Sequence, residues 1–202
     1  MTELELTRQF FDEKSEIWDS RNRMQKEQRL LEIFNTDLPD LQSPLLDMGS
    51  GTGILIPILE NKLQKPAKII EYDISLSMLK KAHRKHHFKK NTSFIQADGH
   101  VLPFKNESFP NIMCFAVYPH FTDPMKAVNE MYRILIHDGL LIILHLMGHQ
   151  ELNAMHETAG KVVSRHALQS AETVSLQIID QGFNILNCHE QKDLYLIVAR
   201  KL

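Results

Sequence analysis

Gly49, Gly51 and Gly53 stand at alternate positions behind a short apolar run, Leu45-Leu46-Asp47-Met48, and ahead of a second, Ile54-Leu55-Ile56-Pro57-Ile58-Leu59. Glycine adopts φ > 0 readily and lets a ligand approach where a Cβ would clash. A buried strand, a glycine turn and a helix, here expected over residues 52–63, leave unpaired N–H groups facing whatever sits in the turn. That arrangement suits a polar, partly anionic small molecule. A second apolar strand, Ile69-Ile70-Glu71-Tyr72-Asp73, sets Asp73 twenty residues beyond Gly53. An acid at that distance, at the tip of the second strand of a doubly wound sheet, accepts hydrogen bonds from ribose hydroxyls. Together the two stretches predict a nucleoside-containing ligand.

The chain of 202 residues carries eleven histidines. His120, in Val117-Tyr118-Pro119-His120-Phe121, follows an expected strand directly, and an imidazole can titrate near neutral pH. It is the candidate general base, with packing in the loop as an equal alternative. His145 lies near the tip of another strand. His149 and His156 are seven apart and share a helix face beside Asn153. These three could orient a substrate or ligate a transition metal with Glu151 or Glu157. A polar pocket wall is the preferred reading, and no metal is assigned.

The elements that must position these residues alternate regularly. Residues 4–35 read as one or two helices. Strands follow at 44–48, 67–73, 92–97, 111–117 and 139–146, with helices at 52–63, 76–88 and 123–136 between them. A helix at 148–157, a looser stretch and a helix at 169–181 closed by Gly182 lead to strands 183–189 and 194–200, joined by Glu190-Gln191-Lys192-Asp193. The expected fold is α/β, a doubly wound seven-stranded, mostly parallel sheet ending in an antiparallel hairpin. No composition break marks a second domain.

Net charge is −2, so no global basic field draws in nucleic acid. The run Lys80–Lys90, with Phe88 its only aromatic, reads as a solvated basic helix end. Cys114 and Cys188 sit in strand-like runs and are expected as buried thiols in a reducing compartment. No leader pattern and no membrane-length apolar stretch is seen, so a soluble cytoplasmic protein is expected. The sequence leaves a homo-oligomer open.

The glycine spacing is G-x-G-x-G, not the G-x-G-x-x-G of dinucleotide sites. Asp47-Met48-Gly49-Ser50-Gly51-Thr52-Gly53 resembles the first motif of class I S-adenosylmethionine-dependent methyltransferases. The likeness continues through Asp73-Ile74-Ser75, Ser77-Met78-Leu79, Phe94-Ile95-Gln96-Ala97-Asp98-Gly99, Leu102-Pro103-Phe104, Ser108-Phe109, Arg133-Ile134-Leu135 and Asp138-Gly139-Leu140-Leu141. It spans roughly residues 40–146 and is nearest the small-molecule enzymes of the ubiquinone/menaquinone-biosynthesis type.

The resemblance implies a Rossmann-like fold and methyl transfer by in-line displacement to a small-molecule acceptor, with S-adenosylhomocysteine as product. It further implies that Asp47, Gly49, Ser50, Gly51 and Gly53 hold the methionine end of the cofactor and Asp73 the ribose. Ile74 and Met78 flank adenine, Asp98 takes its amino group beside Gly99, and Phe115 and Ala116 face the sulfonium. Tyr118, His145, His149, Asn153 and His156 fall on the acceptor side. Residues 1–40 become a helical cap, with Phe10, Phe11 and Trp18 as a lid, although a lone Trp on an amphipathic helix is more often core. Residues 147–168 become an acceptor-side insertion. Pro110, Ala116 and Glu71 depart from the family pattern. The alternatives are an RNA or protein methyltransferase docking through the basic run, and a non-catalytic cofactor-binding or metal-handling protein built on His145, His149 and His156.

Overall fold

In the computed structural model, which describes residues 1–19, 23–87 and 89–202, seven strands form one sheet in the order β3-β2-β1-β4-β5-β7-β6. β1 (Leu45–Met48), β2 (Ile69–Asp73), β3 (Thr92–Gln96), β4 (Phe109–Phe115) and β5 (Leu135–His145) run parallel. β7 (Leu194–Lys201) lies antiparallel between β5 and β6 (Phe183–Gln191). The doubly wound sheet with its closing hairpin is as the alternation of patterns predicts. Strand order reverses between β1 and β4, and such switch points are where open α/β sheets bind ligands.

Neighbouring strand residues feed opposite faces. Leu46, Ile112, Leu141 and Ile143 pack against α5 (Pro124–Ile134) and α7 (Ala171–Ile179), while Leu45, Met113, Ile142 and Leu144 pack against α2 (Arg23–Thr36) and α3 (Ile56–Lys62). Both faces are therefore dry, which is what a parallel sheet requires. α2 buries Leu30, Ile33 and Phe34 in this core, so the expected N-terminal cap divides. Its second half is a structural layer. α1 (Glu3–Lys14) and the 3-10 turn Ser15–Ile17 reach the strand tips, joined there by Arg23 and Lys26 from the first turns of α2. Thr2 and Glu5 close a capping box that starts α1: Thr2 N–H donates to the Glu5 carboxylate at 2.8 Å and Glu5 N–H to the Thr2 hydroxyl at 3.2 Å.

Several boundaries differ from expectation for identifiable reasons. α3 begins at Ile56, with Pro57 in its first turn, so residues 51–55 belong to the glycine turn rather than to a helix starting at 52. β5 begins at Leu135, passing through Asp138 at φ +61°, so it absorbs residues expected to end α5 or to form a loop. Pro110 sits where the β4–β5 register shifts between Phe109 and Asn111, a place where a missing N–H is tolerated. Cys188, expected buried, is exposed because β6 is an edge strand with an outward face. Phe88, expected within the helix after β2, lies outside the described residues; α4 spans Leu76–His86. The basic run is not simply solvated either. Lys81 donates to the carbonyls of Ser15 and Glu16 at 2.7 and 2.6 Å, and Lys85 pairs with Asp19. Among the described residues no helix is long and apolar enough to cross a membrane.

Candidate functional site

A cavity of about 760 Å³ opens at the carboxyl ends of β1–β5, within the ~300–1,000 Å³ range of small-molecule sites. Gly49, Ser50 and Gly51 line it after β1, Asp73, Ile74 and Met78 around the tip of β2, Asp98 and Gly99 after β3, and Phe115 and Ala116 at the end of β4. Gly49, Gly51 and Gly53 have φ of +65°, +55° and +75°, the left-handed region that the alternating glycines predict. Gly49 also has no room: a Cβ there would lie 2.2 Å from Val117 Cγ2. Gly51 presents bare backbone to the cavity, with Trp18 Nε1, 3.7 Å from the site of an added Cβ, as the nearest group. Gly53 and Asp47 do not line the cavity. Gly53 lets the turn pack on α4 and α3, where a Cβ would meet Ile56 Cδ1 at 2.7 Å and Ala82 Cβ at 3.3 Å.

Asp73 is buried and anchors the turn. Its Oδ2 accepts from Gly51 N–H and its Oδ1 from Ser75 N–H, both at 2.8 Å. A carboxylate can accept about four hydrogen bonds, so capacity remains for ribose hydroxyls. Burial, opposed by those backbone donors, pushes its carboxyl up to about 6. Asp98 is oriented by a residue the sequence reading passed over. His100 Nδ1 contacts Asp98 Oδ1 at 2.5 Å, while its Nε2 accepts from Asp123 N–H at 3.1 Å. The second contact fixes the tautomer, so Nδ1–H is the donor. A histidine two residues beyond an acid in a strand-end loop is the sequence signal that could have found it.

Asp47 and Glu71 lie opposite one another in register, fully buried, and their four oxygens have no hydrogen-bond partner among the described residues. The Ser50 hydroxyl is near enough to ease Glu71 ionisation but not in hydrogen-bonding geometry. Burial holds both acids well above the usual carboxylate range, with Asp73 adding to the effect on Asp47 and Asp47 to that on Glu71. An acid that holds its proton more tightly folded than unfolded gives stability that is greatest below the unfolded pKa and declines as pH rises toward the folded one. Glu71→Gln, a neutral isostere that needs no proton uptake on folding, is expected to raise stability relative to the wild type more at pH 8 than at pH 4. Thermal unfolding at the two pH values checks this; equal shifts at both would refute it.

On the other side of the cavity, His120, His145 and His156 line the wall, whereas Tyr118, His149 and Asn153 do not. Tyr118 is buried in the core. His149 Nδ1 meets Glu190 Oε1 at 2.5 Å, and Asn153 ties to both the N–H and the carbonyl of Leu168. The trio His145, His149 and His156 therefore does not assemble, because the first turn of α6 (His149–Ala159) faces the β6–β7 hairpin. Among the described residues no group of three or more His, Cys, Asp or Glu could hold a metal ion. A different group forms instead, with His166, from the stretch read as loose, 3.0 Å from His120 between their Nδ1 atoms. Nothing in the local sequence pattern singles out His166. Burial and the neighbouring histidines push His120 well below the ordinary imidazole range; burial takes His145 down to about 3.

A mostly parallel sheet with this strand order and a closing β6–β7 hairpin, carrying a G-x-G-x-G turn after β1 and acids at the tips of β2 and β3, is the Rossmann-like fold of class I methyltransferases. Residues 46–143 match the family model described as a methyltransferase domain. Among relatives, the ubiquinone/menaquinone biosynthesis C-methyltransferase of Wigglesworthia glossinidia brevipalpis is 30% identical over 118 residues, 57% of this chain and 46% of that protein. The demethylmenaquinone methyltransferase of Thermotoga maritima is 30% identical over 144 residues, 68% of this chain and 60% of that protein. The chain thus spans about half the length of the curated relatives it matches. A SAM-dependent methyltransferase structure from Aquifex aeolicus superposes with a TM-score of 0.73 at 18% identity, covering 95% of this chain and 98% of that one. The [4+2]-cyclase SpnF superposes at 0.67 with 15% identity, covering 86% and 80%. At such identities the likeness establishes the fold, and the cyclase is a reminder that the fold alone does not fix the reaction.

Proposed function

We propose that this chain transfers a methyl group from S-adenosylmethionine to a small, largely apolar acceptor. The observation that carries the reading is one cavity running from the glycine turn and Asp73 to a wall of aromatic side chains and histidines. The residues suit the cofactor: Gly51 offers bare backbone, Asp73 keeps lone pairs for the ribose, and Asp98 is held by His100 at the edge where adenine would lie. The cofactor supplies an electrophilic methyl on a sulfonium. The chain's share is to align acceptor and methyl, exclude water and remove a proton. Phe10, Phe11 and Trp18 line the cavity from the N-terminal segment, where they would shut out solvent. We assign the proton to His120. Both cysteines are free, as the cytoplasm would keep them.

Calorimetric titration with S-adenosylmethionine and S-adenosylhomocysteine tests the reading, with one site per chain expected. Asp73→Ala is expected to weaken both ligands by about 1–3 kcal/mol. Because Asp73 must be ionised to accept two hydroxyls, affinity is expected to fall as pH drops through about 6. Failure to bind either ligand would end the assignment.

A further inference from the structure

We propose that His120 and His166 act as one two-ring base, which takes the proton of a weakly acidic acceptor that enters the cavity uncharged. The inference rests on the methyltransferase reading and deepens it. His120 lines the cavity; His166 does not, and reaches it only through the 3.0 Å contact between the two Nδ1 atoms. One ring must donate there and the other accept. His166 is itself fixed, because its carbonyl accepts from His156 Nδ1–H at 2.7 Å. With Nδ1 engaged, Nε2 is the nitrogen His120 has left for an acceptor. When Nε2 takes a proton, the Nδ1–H···Nδ1 bond becomes charge-assisted, so His166 supports the imidazolium without introducing a permanent charge.

The surroundings set the acceptor class. From β4, β5 and α6 the cavity receives Phe115, Val117, Leu146, Leu152 and Met155, and among charged or titratable groups only histidines. The titratable groups facing the pair are His145 on β5, His156 on α6 and Glu3 on α1, with Phe11 edge-on to His120 at 5.0 Å between centroids. Burial keeps both rings neutral at neutral pH. These three elements offer a charged acceptor no counter-charge, since the cavity's Lys14, Asp19, Arg23 and Lys26 come from the N-terminal segment and the start of α2, whereas a neutral X–H group finds a base here. The step balances. The X–H proton goes to His120 Nε2 and the freed lone pair attacks the methyl carbon. The methyl–sulfur bond breaks toward sulfur, leaving a thioether. One positive charge is present before and after, moved from sulfonium to the imidazole pair, and the proton then passes to water.

4-Nitrophenol, whose phenolate absorbs at longer wavelength than the phenol, serves as probe with the S-adenosylhomocysteine-bound protein. It is expected to bind and to appear partly ionised below its solution pKa. In His166→Ala the phenolate-to-phenol ratio should fall roughly tenfold to a hundredfold, the worth of a charge-assisted hydrogen bond, with total binding little changed. His166→Asn, which accepts a hydrogen bond but cannot take the proton, should restore part of the ratio. An unchanged ratio in His166→Ala, or a probe that stays protonated or unbound in the wild type, overturns the proposal. Imidazole ¹⁵N spectra of the wild type need no variant: His120 and His166 should titrate in shared steps, and independent titration refutes the pairing. Loss of S-adenosylhomocysteine binding itself would instead count against the methyltransferase reading.

Discussion

Gly49→Ala is expected to abolish cofactor binding and to lower the unfolding free energy by about 2–5 kcal/mol, the sum of a left-handed Cβ and an overpacked contact. The added methyl would sit 2.2 Å from Val117 Cγ2 and 2.5 Å from Val117 Cβ, on a residue at φ +65°. Neither neighbour can yield cheaply. Gly49 N–H donates to the Tyr72 carbonyl at 2.7 Å, tying the turn to β2, and Val117 leads into the loop that carries His120. The strain would therefore reach both halves of the cavity. Gly51→Ala is the informative control. Its Cβ would meet only Trp18 Nε1 at 3.7 Å, so the cost to the fold should be about 1–2 kcal/mol of backbone strain while the methyl occupies ligand space. Denaturant midpoints and calorimetry on the two variants separate these outcomes, and wild-type stability for Gly49→Ala would show that the turn is not packed as described.

The second large effect concerns chemistry rather than folding. His120→Ala is expected to cut methyl transfer by about 10²–10⁴-fold, the usual contribution of a positioned general base, while cofactor affinity stays within about twofold. The separation follows from placement. His120 sits in the turn after β4, whereas the proposed cofactor contacts come from β1–β3 and the end of β4. S-adenosylhomocysteine release measured with an accepted substrate gives the rate, and undiminished turnover would leave His120 as packing.

Much of the fold was legible because its signals are local. Leu45–Met48 reads as a buried strand and all four residues are buried. The Glu190–Asp193 connection reads as a hairpin, and β6 and β7 pair across it. The three glycines announce left-handed backbone and adopt it. Their individual duties were not legible. Gly49 yields to Val117, sixty-eight residues on, and Gly53 to Ala82 and Ile56, and such neighbours exist only after folding. The histidines show the same limit. A spacing of seven puts His149 and His156 on one helix face, but Glu190 on a distant strand claims His149. His166 reaches His120 across forty-six residues from a segment without periodicity. Trp18 looked like core and is 44% exposed, because α1 and its following turn meet the strand tips rather than the apolar faces.

Beside the contact of Phe11 with His120, what ties the N-terminal segment to the loops after β1 and β2 is polar. Asp12 Oδ1 accepts from the Ser75 hydroxyl at 2.6 Å and Ser77 N–H at 3.1 Å, and Asp19 from the Thr52 hydroxyl at 2.7 Å and from Lys85. Water can replace such bonds one for one, so swinging the segment aside sacrifices little net free energy compared with peeling an apolar helix from a core. The same fastening grips the glycine turn through Thr52 and the helix after β2 through Ser75. Passage of small molecules in and out is thereby wired to the two loops that would grasp them.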